Sequence, residues 1–227
     1  MGPCWRRARR HNRSNEYALG PLDTGPIDMT GDAVDTGPRT VPDALAILDF
    51  WFGAPGSPEH GTFRNAWFEK SAAFDAEVRA RFAEAHARAT HGALDGLATT
   101  PRGALALVLL LDQVPRNIFR DTPAAYATDA RALDVAKQAL RDGHDQILSS
   151  LERLFLYLPF QHAEDLVEQE RGLALCDRLG IKGAQKAAHR HHEIIARFGR
   201  FPHRNAVLGR ETTEEERVFL TEPDSSF

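Results

Sequence analysis

From about position 44 onward, apolar residues recur at helical spacing and polar residues fill the gaps between them. Ala44 to Phe52 is an apolar run. Thr40 and Asp43 precede it in the spacing of a capping box, and Gly53 and Pro55 end it. Phe74, Val78, Phe82 and Ala85 share one face of a helix over residues 72–91, which Gly92 closes. Thr100 with Pro101 behind it marks a helix start, and that helix runs through Leu111. The next covers about residues 124–141, with Leu133, Ala136 and Leu140 on one face and Gly143 as its stop. Ser149 or Ser150 opens the segment Leu151 to Leu158, which Pro159 is expected to interrupt. Further helices fit residues 163–179 and 183–198, stopped by Gly180 and Gly199, and Thr213 with Glu216 caps a short last one. No stretch alternates as a half-buried strand would. The pattern predicts an all-α chain of seven or eight helices in antiparallel hairpins.

The first forty residues break this pattern. Arg6, Arg7, Arg9, Arg10 and Arg13 cluster there, and residues 20–38 are rich in Gly, Pro, Asp and Thr. Such a segment cannot bury enough apolar surface to fold, so residues 1–40 read as a disordered leader, basic and then Gly/Pro-rich. No apolar stretch follows the arginines, so it is not a secretory signal. Residues 41–222 read as a single helical domain and 223–227 as a flexible tail.

Composition narrows the function classes. A net charge of -4 argues against bulk nucleic-acid binding, which needs a basic face. The apolar run Ala104 to Leu111 is far too short to span a bilayer. Cys4 and Cys176 are the only cysteines; one lies in the leader and the other inside a helical pattern. They suit a reducing, cytoplasmic setting and cannot build a Cys-rich zinc site. Cys176 falls at a core-facing position and reads as a packing residue. Trp51, Phe52, Trp67 and Phe68 read as core anchors of the helical hairpins.

Chemistry concentrates where polar residues interrupt apolar runs. Asp112, Gln113, Arg116 and Asn117 follow Leu109 to Leu111 around Pro115. His162, Glu164 and Asp165 follow Pro159 and Phe160. Arg200, His203, Arg204 and Asn205 bracket Phe201 and Pro202. Each cluster sits at a proline-marked break, where backbone groups are unpaired and helix ends carry partial charge. If the three breaks converge, Arg116 and Arg204 can clamp a small carboxylate or phosphate, with Asn117, Glu164, Asp165, Arg200 and Asn205 around them. His162, His203 and Asp112 are then the candidate catalytic groups, the histidines as proton carriers. The competing reading is purely structural: arginine–carboxylate pairs such as Arg116 with Asp165 lock helix ends, Glu164 and Asp165 favour a helix dipole, and Asn117 and Asn205 cap turns.

His189, His191, His192 and Glu193 invite a metal reading, but no His-Glu-x-x-His or Glu-x-x-His pattern accompanies them, so neither metal nor cofactor is expected. Nucleophile-elbow, phosphate-loop and dinucleotide fingerprints are absent.

The segments Ile47 to Gly53, Leu109 to Arg120, Glu152 to Asp165 and Arg197 to Asn205 resemble, in this order, the hallmark motifs of a bacterial family, domain of unknown function 924. The resemblance covers roughly residues 42–222. It implies a compact helical stack classed with tetratricopeptide-like proteins, although no clean 34-residue repeat is visible. It supplies no reaction. The chain therefore reads as a soluble helical protein whose best-guess role is a scaffold or protein-interaction module. The alternative is a binding protein or enzyme for a small anion; the partner, protein or anion, stays open.

Overall fold

The computed structural model describes residues 41–226, with side chains from Ala44 onward. The expected leader and the capping residue Thr40 lie outside the described residues. Among them the secondary structure is helical with no strand: α1 (Val41–Phe52), α2 (Ala72–Thr90), α3 (Pro101–Val108), α4 (Val114–Ile118), α5 (Asp129–Arg141), α6 (Ser150–His162), α7 (Leu166–Leu179), α8 (Lys182–Phe198) and α9 (Glu214–Phe219). The start signals at Thr100 and Thr213 act as expected, the structure selects Ser149 over Ser150, and Ser71 is a further cap. Ser71, Thr100, Ser149 and Thr213 each accept a backbone N–H in the first turn, and the last two complete capping boxes with Glu152 and Glu216. Gly180 and Gly199 close α7 and α8 with positive φ.

The core is built around α3. Every residue from Gly103 to Gln113 is buried, the pattern of a helix surrounded by others rather than lying on the surface. Helices α1, α5 and α6 pack on it, α4 lies against α2, and α6, α7 and α8 follow one another as neighbours. Short connections, Ala163 to Asp165 and then Gly180 to Ile181, make these last three successive antiparallel hairpins. Gly103 lets α3 touch the preceding turn, because a Cβ there would overlap the Leu97 carbonyl. Rings seal the base. Trp51 meets Phe155 edge to face at 5.9 Å, and Trp67 meets it at 4.9 Å while its Nε1 donates to the Trp51 carbonyl at 3.1 Å. Trp51, Phe52 and Trp67 are core anchors. Phe68 is not, being more than half exposed and stacked on the equally exposed Phe63.

Two helix breaks expected at prolines do not occur. The helix entering at Thr100 does not stop at Leu111. It passes through a π turn, Leu109–Gln113, and continues as α4. Likewise Pro159 lies inside α6, which runs unbroken to His162. Among the described residues no helix is long and apolar enough to cross a membrane.

Candidate functional site

The π turn has a local cause. Pro115 has no N–H to return to the Leu111 carbonyl, and the Val114 N–H bonds five residues back to Leu109. The carbonyls left over are met by side chains. Thr128 Oγ1 donates to Leu111 at 2.5 Å, His86 Nδ1 to Leu110 at 2.8 Å, Arg116 Nη1 to Asp112 at 2.6 Å and Asn117 Nδ2 to Gln113 at 2.9 Å. Asn117 thus satisfies backbone rather than lining a site. The extra residue in the turn carries the Asp112 carboxylate, with none of its surface exposed.

The C-terminus of α6 raises the same problem, since its last carbonyls lack intrahelical partners. Gln169 Nε2 donates to the carbonyls of Gln161 and Ala163, both at 2.7 Å. His191 Nδ1 meets Gln161 at 3.2 Å, and Arg204 Nη1 meets His162 at 3.1 Å. A cation at a helix C-terminus is also favoured by the dipole.

These two repairs bring Asp112, Arg116, His162 and Arg204 together. Asp112 Oδ1 accepts from His162 Nδ1 at 2.7 Å and lies 3.3 Å from Arg116 Nη1, while Oδ2 accepts from Gln113 Nε2 at 2.6 Å. Arg116 also grips Asp129 with both terminal nitrogens, at 2.8 and 2.9 Å. Asp129 Oδ2 is 3.5 Å from Arg204 Nη1. The Arg204 guanidinium is sandwiched between the rings of Phe201 and Tyr126, 4.4 and 4.7 Å from their centroids.

Burial would raise the Asp112 carboxyl, but Arg116, His162 and its hydrogen bonds outweigh that and hold it below the ordinary carboxylate range. Burial and then Arg116 lower His162, against the pull of Asp112. The result is an ionised aspartate facing a neutral imidazole. An ionised carboxylate only accepts, so Nδ1 carries the proton and Nε2 presents its lone pair. His162 Nε2 has no hydrogen-bond partner among the described residues, and its side chain keeps 12% of its surface exposed.

Within this cluster Arg204 is less compensated than Arg116. Arg204 is 5% exposed. Burial, and after it the repulsion of Arg116, bring its guanidinium down to about 10. Its Nη1 is engaged, whereas Nε is buried without a hydrogen-bond partner and Nη2 has none among the described residues. Nε and Nη2 form the side-on fork of a guanidinium, the edge that takes a carboxylate in two parallel bonds. Two other arginines show that edge in use. Arg120 places it on Asp75 at 2.9 and 2.7 Å, and Arg200 places it on Glu216 at 2.7 and 2.8 Å.

The remaining candidates go elsewhere. Glu164 accepts from Arg210 at 2.5 and 2.9 Å and from the Phe201 N–H at 2.8 Å. Arg210 Nε donates to Asn205, whose amide reaches Glu216 at 3.2 Å. Glu164 therefore ties residues 201–210 to the end of α6, and Arg200 and Asn205 tie the same stretch of chain to Glu216 of α9. Asp165 does not meet Arg116; it caps α7 by accepting from Val167 and Glu168. His203 packs near Phe201, and burial with the Arg204 charge lowers it to about 4. His191 is buried against Phe201, 6.4 Å ring to ring from His162. Cys176 is fully buried and its thiol is pushed up to about 12. Among the described residues no three His, Cys, Asp or Glu side chains group as a metal site.

Sequence reading missed Asp129 and Tyr126, and named His191 only in a metal reading. Asp129 opens α5 and looks like an ordinary first-turn acid, and Tyr126 belongs to a 3-10 turn inside what reads as a continuous helix. His191 had a weak signal, a histidine at a core-facing position of α8.

A solved structure of a protein of unknown function from Agrobacterium tumefaciens is similar to this chain. The two are 47% identical with a TM-score of 0.73, over 80% of this chain and 98% of the other. Among curated proteins none matches. The family described as bacterial protein of unknown function (DUF924) matches residues 47–224, and the chain belongs to that family.

Proposed function

We propose that the cluster around Arg204 binds a small anion, a carboxylate or a phosphate, with Arg204 as the clamp. One observation carries this: a guanidinium with only 5% of its surface exposed holds its two-pronged Nε/Nη2 edge without a hydrogen-bond partner among the described residues, while its Nη1 is anchored on the backbone of His162. A buried cation missing partners costs several kcal/mol unless something supplies them. Asp129 at 3.5 Å gives Arg204 only part of that, because Arg116 holds the same carboxylate more closely. Asp112, Arg116 and Asp129 serve to position the clamp and the imidazole. The buried thiol of Cys176 accords with a cytoplasmic location.

The test is thermal unfolding in sodium phosphate or sodium glycolate against sodium chloride of equal ionic strength. An anion at about a hundredfold excess over its dissociation constant adds roughly 2.7 kcal/mol, a rise of roughly 5–11 °C for a domain of this size. Arg204→Met keeps the apolar stem between the two rings and should abolish the rise. Arg200→Met removes a guanidinium whose fork is already filled and should keep it. If no anion raises the midpoint of the wild-type protein, the proposal is wrong.

A second reading, a helical protein-interaction module, has one observation in its favour. Phe63 and Phe68 stack at 5.8 Å with more than half of each side chain exposed.

A further inference from the structure

We infer that this site selects an oxyanion carrying its own O–H group, such as hydrogen phosphate or an α-hydroxy carboxylate, over one that carries none. The inference rests on the anion-binding reading above and adds the chemistry of the second contact. Arg204 offers two donors and no acceptor, so its fork takes any paired oxygens. His162 offers the opposite. Its Nδ1–H is pinned at 2.7 Å by the fully buried Asp112, which in turn is held by Gln113 and Arg116. With that proton fixed and the ring kept neutral by burial and the nearby Arg116 charge, Nε2 accepts a hydrogen bond and does not give one.

Arg204 Nη1 bonds the carbonyl of His162 itself at 3.1 Å, so the clamp and the imidazole belong to residues joined at the same end of α6. A ligand seated on the Arg204 fork with a hydroxyl toward Nε2 satisfies both groups. A ligand whose oxygens are all bare sets a lone pair against a lone pair there, and a buried mismatch of that kind discriminates by about tenfold or more.

The experiment compares two pairs of anions, each pair differing in whether an O–H group is present. Inorganic phosphate retains a P–O–H at neutral pH and sulfate does not; glycolate carries a hydroxyl and acetate does not. Isothermal titration of the full-length wild-type chain at pH 7 should give phosphate at least about tenfold tighter binding than sulfate, and glycolate the same advantage over acetate. His162→Gln offers an amide N–H as well as an oxygen, and should bring each pair within about threefold while leaving phosphate binding measurable. Equal binding of both members of each pair to the wild type would overturn the selectivity and leave the Arg204 clamp standing. Absence of binding by all four anions would remove the clamp and the selectivity together. The ratios are read on the wild-type protein, so the conclusion survives if the variant does not fold.

Discussion

Asp112→Asn is the most exacting perturbation of the site. The native carboxylate is fully buried and holds three groups: His162 Nδ1 at 2.7 Å, Gln113 Nε2 at 2.6 Å and Arg116 Nη1 at 3.3 Å. All three present hydrogens. An ionised carboxylate accepts from each, but an amide of the same size has one accepting oxygen and an NH₂ that must point at a donor. Removing one partner of a buried ion pair costs about 3–5 kcal/mol when the remaining charge is stranded. Arg116 is not fully stranded, since Asp129 keeps its two bonds at 2.8 and 2.9 Å. The expected loss is therefore near the low end, about 3 kcal/mol, or roughly 6–12 °C in midpoint for a chain of this length.

Urea unfolding at pH 7 in a buffer without phosphate measures it, with the slope checked for constancy so that a changed unfolded state is not mistaken for lost stability. The pH dependence supplies an independent check. The Asp112 carboxyl is depressed in the folded state, so its contribution is fully present above the ordinary carboxylate value near 3.9 and fades as pH falls below it. The gap between wild type and variant should narrow on that acid limb only. A loss under about 1 kcal/mol at pH 7 with an unchanged slope would refute the reasoning, because it would mean that these hydrogens find other acceptors.

Two further outcomes test the frame around the site. Gly103→Ala, ordinarily a gain of up to about 1 kcal/mol within a helix, should instead destabilise by about 2 kcal/mol or more, since the added methyl overlaps the Leu97 carbonyl; calorimetric midpoints decide it. Glu216 is lowered to about 2, chiefly by its hydrogen bond from Arg200, so its stabilising share is present above pH 4.5 and is lost as pH falls toward 2. Glu216→Gln should flatten the acid limb of the stability profile in that window, and an unchanged limb would show that the pairing with Arg200 contributes nothing.

How much of this was legible in the sequence depends on whether a signal was local. Helix starts at Thr100, Ser149 and Thr213 and stops at Gly180 and Gly199 are decided within a few residues, and the structure places them as read. Pro115 and Pro159 misled, because the cost of a proline inside a helix depends on who satisfies the freed groups. At Pro115 the answer is Thr128 and His86, which no local pattern announces. Convergence of Asp112, Arg116, His162 and Arg204 was posed as a condition of the anion reading, from the shared placement of polar residues behind apolar runs. Their partners were not, since Asp129 rather than Asp165 answers Arg116 across the fold.

Arg200 and Arg204 show why the remainder needed coordinates. Both follow the same glycine stop and flank the same Phe-Pro pair, so in sequence they are equivalent candidates. In the fold Arg200 turns outward onto the carboxylate of the capping box at Thr213, and its fork is filled by Glu216. Arg204 turns inward to close the end of α6. Closing a helix end needs only a donor, and for the two carbonyls on either side of that of His162 Gln169 does it with a neutral amide. A guanidinium in the same role brings a buried charge that helix capping alone does not require, and its nearest carboxylate is already held by Arg116. The excess of charge over need, at the residue whose fork has no partner among the described residues, is what the anion-binding proposal rests on.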